Sequence, residues 1–445
     1  MLKQVFPLSL IIGLRFFGLF VVLPILSIYA LQMEGATPFL AGAVMGSYAL
    51  TQILFQVPFG IMSDRIGRKK TLLFGLIIFI IGSIVCAISN DIYTLIAGRF
   101  LQGAGAIGAV VSAMISDLVK EEQRAHAMAI MGGTIAISFS VALMVAPIMG
   151  GAFGFDKLFW LTAVLSVGAI VILFTLVPEP PRISHSYDNI KVKTKDVFKD
   201  KALVQMYITF LFHSSIMTVA FFLIPVVMTG SLSDGGFGWS RMDLWKVYLP
   251  AVIFGVLAMG PAAVFGEKYG KGKLVFLISI IAIAIGFTAM GFSHNPWIFI
   301  VGVVLFFIGF NMFEPLLQSF VSKYAPIHQK GEALGVANTF AYIGIFLGGI
   351  IGGVAMQEFD RATLAITVLI ACVGWFLWVL RMQNPNMRAN VYLSLDEYDR
   401  DAIMKMNKNN AIFEVYINES ENIGVVKYEK ELIDEDGVKA LFHTN

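Results

Sequence analysis

Twelve apolar runs recur from the N-terminus to about residue 381, each long enough to cross the roughly 30 Å hydrocarbon core of a bilayer at about 1.5 Å per residue. They lie near residues 6–31, 38–62, 71–89, 92–117, 125–152, 157–177, 203–229, 245–265, 274–292, 296–321, 332–356 and 362–381. In lipid every backbone N–H and C=O must be paired within the protein, so runs of this length become helices. An all-α polytopic membrane protein is expected. The chain is 14% charged, where soluble domains carry about a quarter. That balance excludes an ordinary soluble enzyme, a disordered chain and a nucleic-acid binder. Cys86 and Cys372 sit in apolar runs without a local partner, so neither a disulfide framework nor a metal site is expected. The first run follows Lys3 but is long, contains Arg15 and lacks a small-x-small cleavage site, so it reads as a span and not a signal peptide.

Loop charges set the orientation. Seventeen bases, among them Arg65, Arg68, Lys69, Lys70, Lys120 and Lys273, fall on one side of the spans, against Lys157, Arg241, Lys246 and Arg361 on the other. The positive-inside rule then places both termini in the cytoplasm. The long polar stretch 178–202 parts an N-terminal six-helix bundle (1–177) from a C-terminal one (203–381). SDRIGRKK (63–70) and GEKYGKGK (266–273) repeat acid, base, glycine and base about 203 residues apart, and glycine pairs close the fifth and eleventh spans about 202 apart. Two matches at nearly one offset predict a duplicated unit, the trace of a transporter with two rocking halves.

After a short linker, 382–389, residues 390–445 turn charged and alternating. Val391–Leu395, Ala411–Asn418 and Ile423–Glu429 read as strands, and Asp396–Met406 and Asp434–Phe442 as helices. The order β-α-β-β-α predicts a small α+β module of ferredoxin-like type, one strand short. Without a CxxC it offers no metal site.

The densest local signal is Gly60-Ile61-Met62-Ser63-Asp64-Arg65-Ile66-Gly67-Arg68-Lys69-Lys70. Gly67 permits a tight reversal, and the bases anchor the loop to one face. In the fourth span Arg99, Gln102 and Gly103 share a helical face. An arginine so far from either end must face protein interior or a watery cavity, or else be satisfied structurally by carbonyls. The fifth span carries small residues at Ala142, Ala146 and Gly150, with Pro147 and Gly151 beside them. That stripe suits close helix contact, and Pro147 bends the span. Other polar groups inside spans are Arg15, Gln52, Gln56, His213, Asn311 and Glu314. Glu314 is the sole carboxylate placed deep in the bilayer, a site for reversible protonation unless it pairs with a structural cation. His213 is the other proton candidate, or a hydrogen-bonded packing residue.

The stretch 60–70 resembles the loop 2–3 signature of the major facilitator superfamily, with Met62 for leucine. The resemblance implies the major facilitator fold of twelve helices in two six-helix halves. It also gives Asp64 a part, with Arg68 and Asp117, in a latch that holds the halves together on the cytoplasmic side. Arg99 to Gly103 is similar to the span-four motif associated with proton coupling. Ala142 to Gly151 is similar to the antiporter motif, with alanine for both leading glycines. The first span, LRFFGLFVVLP (14–24), the SDRIGRK loop and the terminal ferredoxin-like module together resemble the YajR group of twelve-helix facilitators, classed with drug:proton antiporters.

The expected function is a proton-coupled secondary transporter of a bacterial inner membrane, an efflux antiporter for small drug-like organic solutes. The cavity candidates are Arg15, Gln52, Gln56, Gln102 and Asn311, and the proton candidates are Glu314, His213 and Arg99. Its partners would be protons, a small-molecule substrate and the bilayer, and its terminal module a regulatory or self-association piece. A metabolite exporter or importer on the same fold is the alternative. A non-transporting sensor that presents the terminal module is a more distant one. No cofactor is expected beyond the proton gradient. No enzyme constellation or phosphate-binding GxxxxGK[ST] appears.

Overall fold

Each expected run is a helix in the computed structural model, which describes residues 2–179, 198, 200–325, 330–382, 388–405, 411–418, 422–429 and 432–442. The twelve spans are Leu2–Ala30, Pro38–Ile66, Arg68–Ala87, Ile92–Leu118, His126–Phe153, Asp156–Thr175, Lys201–Thr229, Arg241–Lys268, Gly272–Phe292, Pro296–Tyr324, Gly331–Glu358 and Arg361–Leu380. Most of the expected 178–202 connection and of the 382–389 linker lies outside the described residues.

Two spans are interrupted where the sequence reading draws them whole. Span one breaks at Val21–Val22, just before Pro24, which cannot donate to the ladder. Span four loses its helix at Gly105–Ile107. Span eight opens with the tight turn Arg241–Leu244 and, after Pro261, ends in the wide turn Val264–Lys268.

Within the first half, span one packs on spans five and six, two on four, and three on four and six. In the second half, seven packs on eleven, eight on ten, and nine on ten and twelve. The halves meet through spans two and eleven, one and seven, and five and eight. Small residues make the largest of these seams: a Cβ on Gly42 or Gly46 would strike the backbone of Gly349, Gly353 or Phe346.

The terminal module is a three-stranded antiparallel sheet in the order β1-β3-β2, with β1 Arg388–Ser394, β2 Ile412–Asn418 and β3 Ile423–Glu429. This is the split β-α-β arrangement expected, with β3 inserted between the strands that the helix joins. The first module helix begins at Arg400, later than expected, because Tyr398 N–H turns back onto the Ser394 carbonyl and Asp399 caps the next turn. The last is Glu435–Ala440, capped by Asp434. Val391, Leu393, Ile403, Val426 and Val438 fill the core under the helices. On the strand's other face Lys427 is buried, and its Nζ donates to the Ala325 carbonyl at the end of span ten, 2.6 Å away. A cation there complements the negative end of the helix. The module is docked on the second half.

Candidate functional site

Arg15, midway along span one, is 1% exposed. Its guanidinium lies over the rings of Phe16 and Phe79 at 5.7 and 5.4 Å. Nε, Nη1 and Nη2 all lack a hydrogen-bond acceptor. Gln52 of span two is buried with Nε2 unpartnered, and Gln56, one turn on, is half-buried with Oε1 unpartnered.

Arg99 is the better provided of the two. Its Nη1 donates to Gln102 Oε1 at 2.7 Å, the face-sharing the sequence spacing predicted, and its guanidinium rides over the Tyr48 ring at 4.6 Å. Gln102 Nε2 passes the chain on to Ser83 Oγ at 2.9 Å. Gln102 therefore sits in the helix interface and buttresses Arg99. Nε and Nη2 of Arg99 stay without acceptors.

In the second half, His213 stacks on Phe310 at 4.2 Å, touches Phe313, and holds Nε2 3.2 Å from the Phe310 carbonyl. Asn311 Nδ2 donates to the Phe307 carbonyl of its own helix at 2.8 Å and abuts Gly255 of span eight. Glu314 follows on the same helix and is exposed. No hydrogen bond or ion pair engages it among the described residues. One turn further, Gln318 bonds Asn338 of span eleven. Glu314 thus lies on the face of span ten that borders spans eight and eleven.

A ladder of rings joins the halves. Phe16 stacks on Phe20 at 5.4 Å, Phe20 meets Phe139 of span five edge-on at 4.9 Å, and Phe139 reaches Phe221 and Phe310 at 6.0 and 6.4 Å. It runs from the Arg15 side chain to the His213 ring. Phe16, Phe20 and Phe139 are half-buried.

The two faces of the bundle differ. At the face opposite loop 2–3 the halves close on each other. Ser27 Oγ donates to the Phe222 carbonyl, Tyr248 OH to that of Pro24, Arg241 covers Tyr29 at 4.9 Å, and Met242 fills the space over Gly151. Gly151 of the span-five motif therefore serves this closure, while Gly150 packs on Ile25 and Leu158 within the first half, and Ala142 and Ala146 are fully buried. At the loop 2–3 face the spans splay. Gly60, Gly132, Gly133, Gly260, Gly331 and Gly335 would each have open space around an added Cβ.

At that open face Arg68 Nη1 donates to Asp64 at 2.5 Å and its Nε to Asp117 at 2.9 Å, with Ser63 Oγ alongside. Gly67, at φ 102°, makes the turn between them. The three charges expected to act together are brought together, all within the first half. The second half has its own set, which the sequence reading left aside: Glu267 pairs with Lys323 and accepts from Ser319 Oγ at 2.5 Å. Tyr48 under Arg99 and the ring ladder were missed too, since no local spacing announces a contact between distant spans.

The sequence profile of the Major Facilitator Superfamily matches residues 8–348 and 245–393. The chain belongs to that superfamily. It is 32% identical over 436 residues to the inner membrane transport protein YajR of Escherichia coli, covering 97% of this chain and 95% of that one. It is 26% identical to the class B tetracycline resistance protein of Escherichia coli over 78% of its length and 88% of the relative's. Among solved structures it superposes on a D-xylose-proton symporter with TM-score 0.69 at 16% identity, over 86% of this chain and 98% of the other. On the nucleoside transporter NupG the TM-score is 0.68 at 17% identity, over 85% and 99%. The protein is a facilitator-superfamily transporter with twelve membrane helices, and not an enzyme.

Proposed function

We propose that this facilitator is a proton-coupled secondary transporter of a bacterial inner membrane that exports small organic solutes by alternating access. Both termini and loop 2–3 would lie in the cytoplasm, so the posture described is open inward. The observation that carries this reading is the placement of the polar residues. In this reading they line the midline between halves that are sealed at one end and splayed at the other. Rocking about that midline would carry the same groups from one face to the other.

In this reading Glu314 takes up the proton, because it is the mid-span carboxylate that no cation of the described residues neutralises, and a change in its charge alters the cost of turning the site toward lipid-depth surroundings. His213, held by Phe310, and Arg99, braced by Gln102, serve the geometry around it. The Arg68 cluster acts as the latch: when the inner face closes, Asp64, exposed here, becomes available to the facing half. The docked terminal module is a regulatory piece attached to span ten.

Flux in proteoliposomes under an imposed pH gradient tests this. Wild-type chain should move a lipophilic solute when the gradient is applied, and Glu314→Gln should lose that gradient dependence. Unchanged proton-driven flux in Glu314→Gln would remove Glu314 from coupling. Deleting 390–445 should leave flux in place, and that residual flux would reject the sensor alternative.

A further inference from the structure

A guanidinium has five N–H donors in a planar fork, and leaving it buried and unpaired is among the costliest things a membrane span can do. Arg15 does so at every nitrogen. Its two flanking rings supply only cation–π contact. Arg99 of span four, linked through Gln102 to Ser83, one turn along span three from the Phe79 ring that Arg15 covers, adds a second cation with two nitrogens unmet. No carboxylate of the described residues hydrogen-bonds either one. A cationic solute entering this half would meet two like charges. A carboxylate would match the fork with two parallel charge-assisted bonds.

We infer that the crevice takes an organic anion, with Arg15 receiving its carboxylate and the Phe16–Phe20–Phe139 ladder receiving a flat apolar body. The ladder begins on the very ring that Arg15 covers and its members are half-buried, so an acid head and an aromatic tail find adjoining surfaces. The inference rests on the transporter reading above and gives its cargo a charge. It also gives the runner-up, a defined metabolite bearing an acid group, a residue that would recognise it.

The test uses the full chain in uncharged detergent and three probes of one shape: 2-naphthoate, 2-naphthamide and 2-naphthylmethylammonium. By equilibrium dialysis the wild type should bind the carboxylate about tenfold or more tightly than the amide, and the ammonium more weakly still. Arg15→Gln should lose about tenfold or more of the carboxylate affinity and leave amide binding alone. Arg15→Lys, which keeps the charge without the fork, should fall between and guards against a folding defect in the first variant. Lys157→Gln, which removes an exposed surface charge, should match the wild type. A wild type that does not prefer the carboxylate, or an Arg15→Gln chain that binds it undiminished, overturns the inference. In vesicles, a pH gradient that drives rhodamine 6G while naphthoate neither binds nor competes leaves the transporter reading standing and this one fallen. Arg15-dependent naphthoate binding with no flux of any solute does the reverse.

Discussion

At the crossing of spans three and four, Gly82 meets Gly98 and Gly105 meets Gly75. At the crossing of spans nine and ten, Gly286 meets Gly302 and Gly309 meets Ser279, every position 204 residues further on. The backbone approaches are the same in both halves. The side chains between them are not. Ser83, Arg99 and Gln102 form a buried polar chain in the first half, and Phe287, Val303 and Phe306 occupy the matching positions in the second, where Phe287 and Phe306 meet edge-on at 5.4 Å. Conversely Asn311 and Glu314 correspond to Ile107 and Val110. Duplication preserved what close helix packing requires and released what it does not. The outcome is a midline with cations on one side and the carboxylate on the other.

The largest effect should come from the shared glycines. Leucine at Gly82 or at Gly286 would force its side chain into a neighbouring backbone, and each should cost about 3 kcal/mol. Both chains should elute aggregated or melt far below the wild type. If only the first-half variant suffers, the two crossings are not equivalent.

Next comes the residue that the halves do not share. Arg99 is charged, fully buried and only partly bonded, so Arg99→Met should raise thermal stability by about 1–2 kcal/mol while it lowers proton-driven flux about tenfold. Its mirror substitution, Val303→Met, swaps one apolar side chain for another and should change stability by less than about 1.5 kcal/mol with flux intact. A destabilised Arg99→Met would mean the polar chain is structural in both its ends.

These contrasts mark what the residue order could and could not reveal. The twelve spans were legible because lipid fixes the length of an apolar run, and the Arg99–Gln102 and Asp64–Arg68 pairs because three- and four-residue spacing puts them on one helix face. Asp117 needed the family pattern. The breaks at Val21–Val22 and Gly105–Ile107 were hidden, since a helix interrupted in the middle keeps its hydropathy. Tyr48 and Phe139 owe their roles to which spans touch, and an apolar sequence says almost nothing about that.

The open-face charges are inverted between the halves. In the first, the loop gives the base and span four the acid, Arg68 to Asp117. In the second, the loop gives the acid and span ten the base, Glu267 to Lys323. The first pair is the more enclosed, with side chains 18% and 11% exposed against 23% and 35%. Asp117→Asn should therefore cost about 1–2 kcal/mol and Glu267→Gln less than about 1 kcal/mol, read from melting in the same detergent.

The smallest contrast lies at two helix starts. Asp91 caps span four, accepting from the N–H groups of Tyr93 and Thr94 at 2.9 Å, and Asn295 caps span ten in the matching place, accepting from Trp297 N–H at 2.8 Å. The Thr94 hydroxyl and these backbone donors hold the Asp91 carboxyl below the usual carboxylate range. Because its folded value is the lower one, the cap contributes in full above the ordinary carboxylate pKa and is lost as pH falls through the depressed value. The asparagine has no proton to gain. Hydrogen exchange should therefore show the Tyr93 and Thr94 amides opening faster in acid, beyond the intrinsic pH trend, while Trp297 follows that trend alone. An Asp91→Asn chain should make span four behave like span ten. If the Asp91→Asn chain still opened in acid, the sensitivity would belong to the span and not to its cap.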